Sequence, residues 1–156
     1  MLQLKGAAVY MRLYRERLGR YVTILGIVKA IASCGGIAAW AIWKSHAFIW
    51  AVIIAVSQVA DALKDVFPFA KLHKSANEHS MTLNTLFIDA ELEWGNIFLG
   101  RFMDDEIMNR LHKLKKLQLD AEQRSFPDGL TINPALKSRA EQEALEYFVS
   151  ANAVES

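Results

Sequence analysis

The chain has a single cysteine, Cys34, in 156 residues, which excludes an internal disulfide and any zinc site built on cysteines. An excess of either charge is also missing. Lys and Arg number 18 against 17 Asp and Glu, a net charge of +1, so no global electrostatic attraction points to nucleic acid. There is no glycine-rich phosphate loop, because Gly35-Gly36 sits inside an apolar run rather than between a strand and a helix. Internal repeats, low-complexity tracts and the two-residue alternation of strands are absent as well. His73 and His79 stand six residues apart, out of phase for the adjacent-turn pairing that a zinc site on one helix face needs. Glu78 beside His79 then reads as a solvated neighbour rather than a general base. Asp89, Glu91 and Glu93 crowd one stretch, yet on a helix they point in different directions. The expectation is a protein that is not an enzyme and binds no cofactor or metal.

What the chain does have is a concentration of apolar residues. Between Val22 and Ala60 the only charged residues or histidines are Lys29, Lys44 and His46. From Leu63 onward the sequence is charged and helix-like. The first apolar run, 22–43, spans about 33 Å as a helix, close to the thickness of a bilayer core. Lys44-Ser45-His46 breaks it, and a second run, 47–63, lies at the lower limit for spanning. A three-residue link sends the second helix back antiparallel to the first. Two other readings compete. Ile31-Ala32-Ser33-Cys34 resembles a lipoprotein signal, but Lys29 interrupts its apolar segment and hydrophobicity continues past the cysteine. The other is a very apolar hairpin buried in a soluble bundle.

Aromatic and basic residues favour the membrane hairpin. Trp40, Trp43, Phe48 and Trp50 cluster at the turn, and Tyr10, Tyr14 and Tyr21 at the far end, as interfacial belts do. Lys5, Arg12, Arg15, Arg17 and Arg20 precede the first run, Lys64, Lys71 and Lys74 follow the second, and only Lys44 lies in the turn. The positive-inside bias places both termini in the cytoplasm. Lys29 lies 16 residues before Ser45 and Asp61 lies 16 after it, so an antiparallel hairpin brings them to one depth. A charge inside a span is costly unless it pairs or snorkels. Either Lys29 pairs with Asp61, with Gln58 and Ser57 completing the hydrogen bonds, or it reaches the headgroups alone. Small residues recur at every fourth place: Gly26, Ala30, Cys34 and Ala38, then Ala47, Ala51 and Ala55. Such stripes let helices pack closely in lipid, either within one hairpin or between hairpins.

Residues 1–20 read as a basic helix lying on the anionic cytoplasmic leaflet before it turns into the first span. The hairpin occupies 21–66, and 67–156 forms a cytoplasmic helical region. Pro68 kinks or breaks the second helix after its exit. The next helix offers Leu83, Leu86 or Phe87, Ala90, Trp94, Ile97 and Phe98 at helical spacing. Asp104 reads as the N-cap of a helix carrying Ile107, Leu111, Leu114 and Leu117, with Arg110, Lys113, Lys115 and Lys116 on its far face. Phe126-Pro127-Asp128-Gly129 is a turn signal. Asn133-Pro134 then caps a last helix whose apolar face is Leu136, Ala140, Ala144, Leu145 and Phe148. The fold class expected is all-α, a two-helix transmembrane hairpin followed by a small cytoplasmic helical bundle.

A basic, tyrosine-bearing lead-in ("YMRLYRERLGRY"), two apolar helices joined by a tight turn ("IAAWAIWKSHAFIWAV") and a long polar helix after them ("KLHKSANEHSMTLNTLFIDAELEW") together resemble the SLATT-like two-transmembrane effectors of bacterial conflict systems. The resemblance covers roughly residues 10–100. It implies a protein of the bacterial inner membrane that permeabilises or depolarises that membrane when a cyclase- or retron-linked sensor detects phage, killing the infected cell. It offers no catalytic residues. With no sensor domain fused, the resemblance implies a regulator acting in trans, whether protein, nucleic acid or nucleotide. The partners expected are the lipid bilayer, further copies of the chain and that regulator. Lys29, Gln58, Ser57 and Asp61 are the candidate polar path. The competing functions are a non-toxic anchor or adaptor whose cytoplasmic helices bind a partner, and a small transporter or channel subunit.

Overall fold

The computed structural model of the chain describes residues 1–35, 47–63 and 68–154. The described residues form five helices and no strand: α1 (Leu2–Gly35), α2 (Ala47–Leu63), α3 (Phe69–Phe98), α4 (Asp104–Ser125) and α5 (Pro134–Val154). The chain is all-α. It divides into two compact units, one made of Met1–Arg15 with Lys74–Ser156 and the other of Glu16–His73.

Local signals set the helix ends in the first unit. α3 stops in a Schellman turn, where Gly100 N–H donates to the Ile97 carbonyl at 2.9 Å and Arg101 N–H to that of Asn96 at 3.1 Å. That turn needs a left-handed residue, and Gly100 supplies it at φ 68°. α4 starts one residue earlier than the sequence suggests. Met103 takes the cap position, its N–H donating to Glu106 Oε2 at 3.0 Å, and Asp104 is the first helical residue. Asp104, Asp105 and Glu106 there oppose the positive end of the helix dipole. The Phe126–Gly129 turn is closed by Gly129 N–H on the Phe126 carbonyl at 2.9 Å. α5 begins as expected: Asn133 Oδ1 accepts the N–H groups of Ala135 and Leu136 at 3.1 and 3.2 Å, with Pro134 next.

The core of this unit lies among α1, α3 and α5. α1 contributes Leu4, Ala8, Met11 and Leu13, α3 contributes Ala76, Leu83, Leu86, Phe87 and Ala90, and α5 contributes Ala140 and Ala144. Phe126 closes it from the turn, 5% exposed. Each fully buried leucine, such as Leu83, contributes about 1.5–3 kcal/mol. α4 buries no side chain completely and rests on the half-buried Ile107, Arg110 and Leu114.

Several expectations fail on packing. The first residues of α1 (Leu2–Gly35) enter a protein core through Leu4, Ala8, Met11 and Leu13 rather than lying as a separate surface helix. Tyr10 is not an interfacial anchor. It is 8% exposed and its hydroxyl accepts the Asn133 N–H at 3.0 Å. On α3 the buried stripe ends at Ala90, leaving Trp94 and Phe98 57% and 86% exposed. Leu145 falls off the inner face of α5 and is exposed. Arg110 turns inward from the basic face, donating to Glu93 Oε1 at 2.8 Å and stacking its guanidinium over Phe102.

The second unit is different in kind. Leu18 is buried, and the rings of Tyr21 and Phe69 meet at 5.9 Å. Along α2 every described side chain is exposed except Ser57, which is half-buried. Pro68 stands immediately before α3, so it marks a break between helices rather than a kink. No helix among the described residues is long and apolar enough to cross a membrane. α2 has 17 residues, which gives a length of about 25 Å against a hydrocarbon core of about 30 Å. The described part of the first apolar run shares α1 with Arg12, Arg15, Arg17 and Arg20. Its continuation, with Trp40, Trp43 and the Lys44-Ser45-His46 link, lies outside the described residues.

Candidate functional site

Lys29 lies on α1 and Asp61 on α2, and the Lys29 Nζ donates to the Asp61 carboxylate in an ion pair. Their side chains are 42% and 52% exposed. Gln58 and Ser57 lie on α2 as well, three and four residues before Asp61.

The small residues do not pack inside their own unit. Gly26, Ala30, Ala51 and Ala55 are all exposed, and a Cβ added at Gly26 would meet nothing within 4 Å. Cys34 and Ala47 fall on α1 and α2, while Ala38 lies outside the described residues. Around the described members stand Ile24, Ile27, Ile31, Val52, Val56 and Val59, each 44–57% exposed. Small and branched apolar side chains on both helices are thus exposed.

The first unit holds polar groups that sequence spacing does not reveal. His79 is 5% exposed, its Nδ1 has no hydrogen-bond partner, and it meets Phe126 edge-on. Burial pushes its pKa below the ordinary value, with Glu122 and the Ala121 backbone opposing. Lys5 Nζ sits 3.6 Å over the Tyr147 ring and 4.4 Å over that of Phe87, a cation–π arrangement. Burial lowers the Lys5 pKa and the Glu91 charge opposes that shift. Tyr147 donates its hydroxyl to Glu91 Oε1 at 2.7 Å, and this hydrogen bond raises its pKa. The two rings that Lys5 meets, Phe87 and Tyr147, stand far along the chain, and no local spacing links them to residue 5.

The acidic stretch disperses as its helical phase requires. Asp89 lines a cleft between α3 and α4, Glu91 meets Tyr147 and Glu93 meets Arg110. Among the described residues no three His, Cys, Asp or Glu side chains gather to hold a metal ion. A second cleft, of about 390 Å³, opens among α1, α3, α4 and α5 beside His79, Tyr10 and Glu122. The chain matches no protein-family model, no curated protein and no solved structure.

Proposed function

We propose that this chain is a membrane effector: its apolar hairpin enters the bacterial inner membrane, associates with further copies and makes that membrane leaky. The observation that carries this reading is the uncovered apolar surface of the second unit, where Phe48, Val59 and Ile24 are 80%, 57% and 56% exposed. Apolar patches of this kind are rare on proteins surrounded by water alone. Lipid covers them at no cost, and the exposed Gly26, Ala30, Ala51 and Ala55 suit close approach of a second hairpin. Basic residues flank the hairpin at its ends, which favours cytoplasmic termini. Lys29, Gln58 and Asp61 provide the polar groups along which ions or water would pass, since ionisable residues in spans mark pathways by default.

The resemblance to the SLATT-like effectors supports the same reading and adds its setting: an anti-phage system in which a separate sensor or regulator triggers the effector. The competing function is a tether whose hairpin only anchors the helical bundle to the membrane.

Two measurements on the full chain test the reading. Alkaline carbonate extraction leaves the protein in the membrane pellet if the hairpin is inserted, and washes it into the supernatant if it is not. Induction with a membrane-potential dye then separates effector from tether. Rapid depolarisation supports the effector, and unimpaired potential and growth at full expression, with the trigger present, leave only the tether.

A further inference from the structure

Among the described residues one buried side-chain polar atom has no hydrogen-bond partner, Nδ1 of His79. Buried polar groups are nearly always paired, so an orphan raises the question of what is missing. A hydrogen bond to the Ala121 backbone favours the protonated ring, so one ring nitrogen donates. As Nδ1 has no partner, the donor is Nε2, and Nδ1 of the neutral ring is an acceptor. What it lacks is a donor.

His79 lines the cleft of about 390 Å³ to which α1, α3, α4 and α5 all contribute. Tyr10, Met11, Leu83 and Ala140 are its buried apolar residues, and Leu130 and Ile132 of the α4–α5 connection add a more exposed apolar lip. Such a volume, apolar with few polar groups, suits a small molecule. Gly6 also lines the cleft, and a Cβ built there meets nothing within 4 Å, so no described side chain fills the space beside it.

Charge narrows the ligand. The charged lining residues are Glu122, Lys137 and Glu141. Lys137 and Glu141 pair along α5 at 3.9 Å. The Glu122 carboxylate takes part in no hydrogen bond or ion pair among the described residues, and its charge acts on His79. One unbalanced carboxylate beside an apolar cleft disfavours anions and suits a cation with an apolar body. A planar heteroaromatic body also supplies the missing donor, and Met11 offers it a sulfur contact.

We infer that this cleft binds a small aromatic amine, whose ammonium pairs with Glu122, whose ring lies against Met11 and Leu83, and whose ring N–H donates to His79 Nδ1. Every lining residue belongs to the first unit, so the site stands or falls independently of the membrane reading.

NMR of isotope-labelled histidine tests it on the full chain in an uncharged maltoside detergent. His79→Leu identifies the His79 imidazole signal among those of the four histidines. Tryptamine should move that signal saturably and leave the other three in place. Tryptamine methylated on its ring nitrogen lacks the donor, and indoleacetate lacks the ammonium. Each should need concentrations on the order of tenfold higher. Glu122→Gln should weaken tryptamine by about that factor and leave skatole, the same ring without the amine, unaffected. Gly6→Leu should abolish the shift while helicity by circular dichroism is retained. A His79 signal that tryptamine leaves in place at millimolar concentration overturns the inference and leaves the cleft to water alone. An equal shift from all the probes also overturns it, as does a shift that persists in Gly6→Leu, because either places binding outside the cleft.

Discussion

The ring of His79 stands edge-on to that of Phe126, with centroids 5.7 Å apart and planes at 88°. A histidine held this way, with Nδ1 unpartnered, must stay neutral to remain in the core. Its folded pKa lies below the ordinary 6.5, so just below that pH the unfolded chain binds more protons than the folded one. Stability therefore rises with pH through this window; the contribution is complete above about 6.5 and is lost as pH falls toward the folded value. The melting temperature of the full chain in detergent should drop between about pH 7.5 and about pH 5.5, with a slope of at most about 1.4 kcal/mol per pH unit from this group. His79→Leu should flatten that drop. A variant whose melting temperature falls as steeply as the parent's would remove His79 as the cause.

Two glycines should respond in opposite directions. Gly6 lies inside α1 with nothing within 4 Å of an added Cβ, so Gly6→Ala should stabilise the bundle by about 0.4–1 kcal/mol through helix propensity and reduced unfolded-state entropy. Gly100 has φ 68°, and Gly100→Ala should destabilise by about 1–2 kcal/mol because a Cβ strains the left-handed conformation. Chemical denaturation of the two variants checks both signs.

The α1–α5 junction rests on two local hydrogen-bond systems. Asn133→Ala removes the acceptor for the Ala135 and Leu136 N–H groups and should cost about 1 kcal/mol, within the usual range for a lost cap. Tyr10→Phe leaves the Asn133 N–H without its acceptor and should cost about 1–3 kcal/mol where water cannot replace it. Both groups meet at Asn133, so a double-mutant cycle should give non-additive losses. Strict additivity would mean that cap and tyrosine act independently.

The Lys29–Asp61 pair predicts a charge-swap result. Lys29→Asp alone sets two carboxylates together and Asp61→Lys sets two ammonium groups together, so each should reduce accumulation in the membrane fraction. Combined, the swaps restore an opposite-charge pair, and accumulation should recover. A double variant no better than either single one would show that the contact contributes nothing to insertion.

Much of the helix layout is legible in the sequence because caps and turns are local. Asn133-Pro134 and Phe126-Pro127-Asp128-Gly129 act through hydrogen bonds spanning only a few residues. The Lys29–Asp61 contact joins two positions that stand equally far in sequence from Ser45. The Met103 cap is harder to read, because Asp104 is the better capping residue by type while the reach of Glu106 to the Met103 N–H decides the boundary.

By itself the sequence determined an all-helical chain, the division between a predominantly apolar stretch and charged amphipathic helices, and the breaks at Pro68 and Asn133-Pro134. Only the tertiary structure decided which helix faces are covered. It placed Tyr10 and His79 in a core, turned Arg110 toward Glu93, brought Lys5 over Tyr147, and left Met81, Ile88 and Leu92 outside. Helical periodicity states that a face is apolar, but whether a side chain is buried depends on residues distant in sequence that arrive against it. That arrival is set by the packing of all the helices of a unit at once, which no single helix encodes.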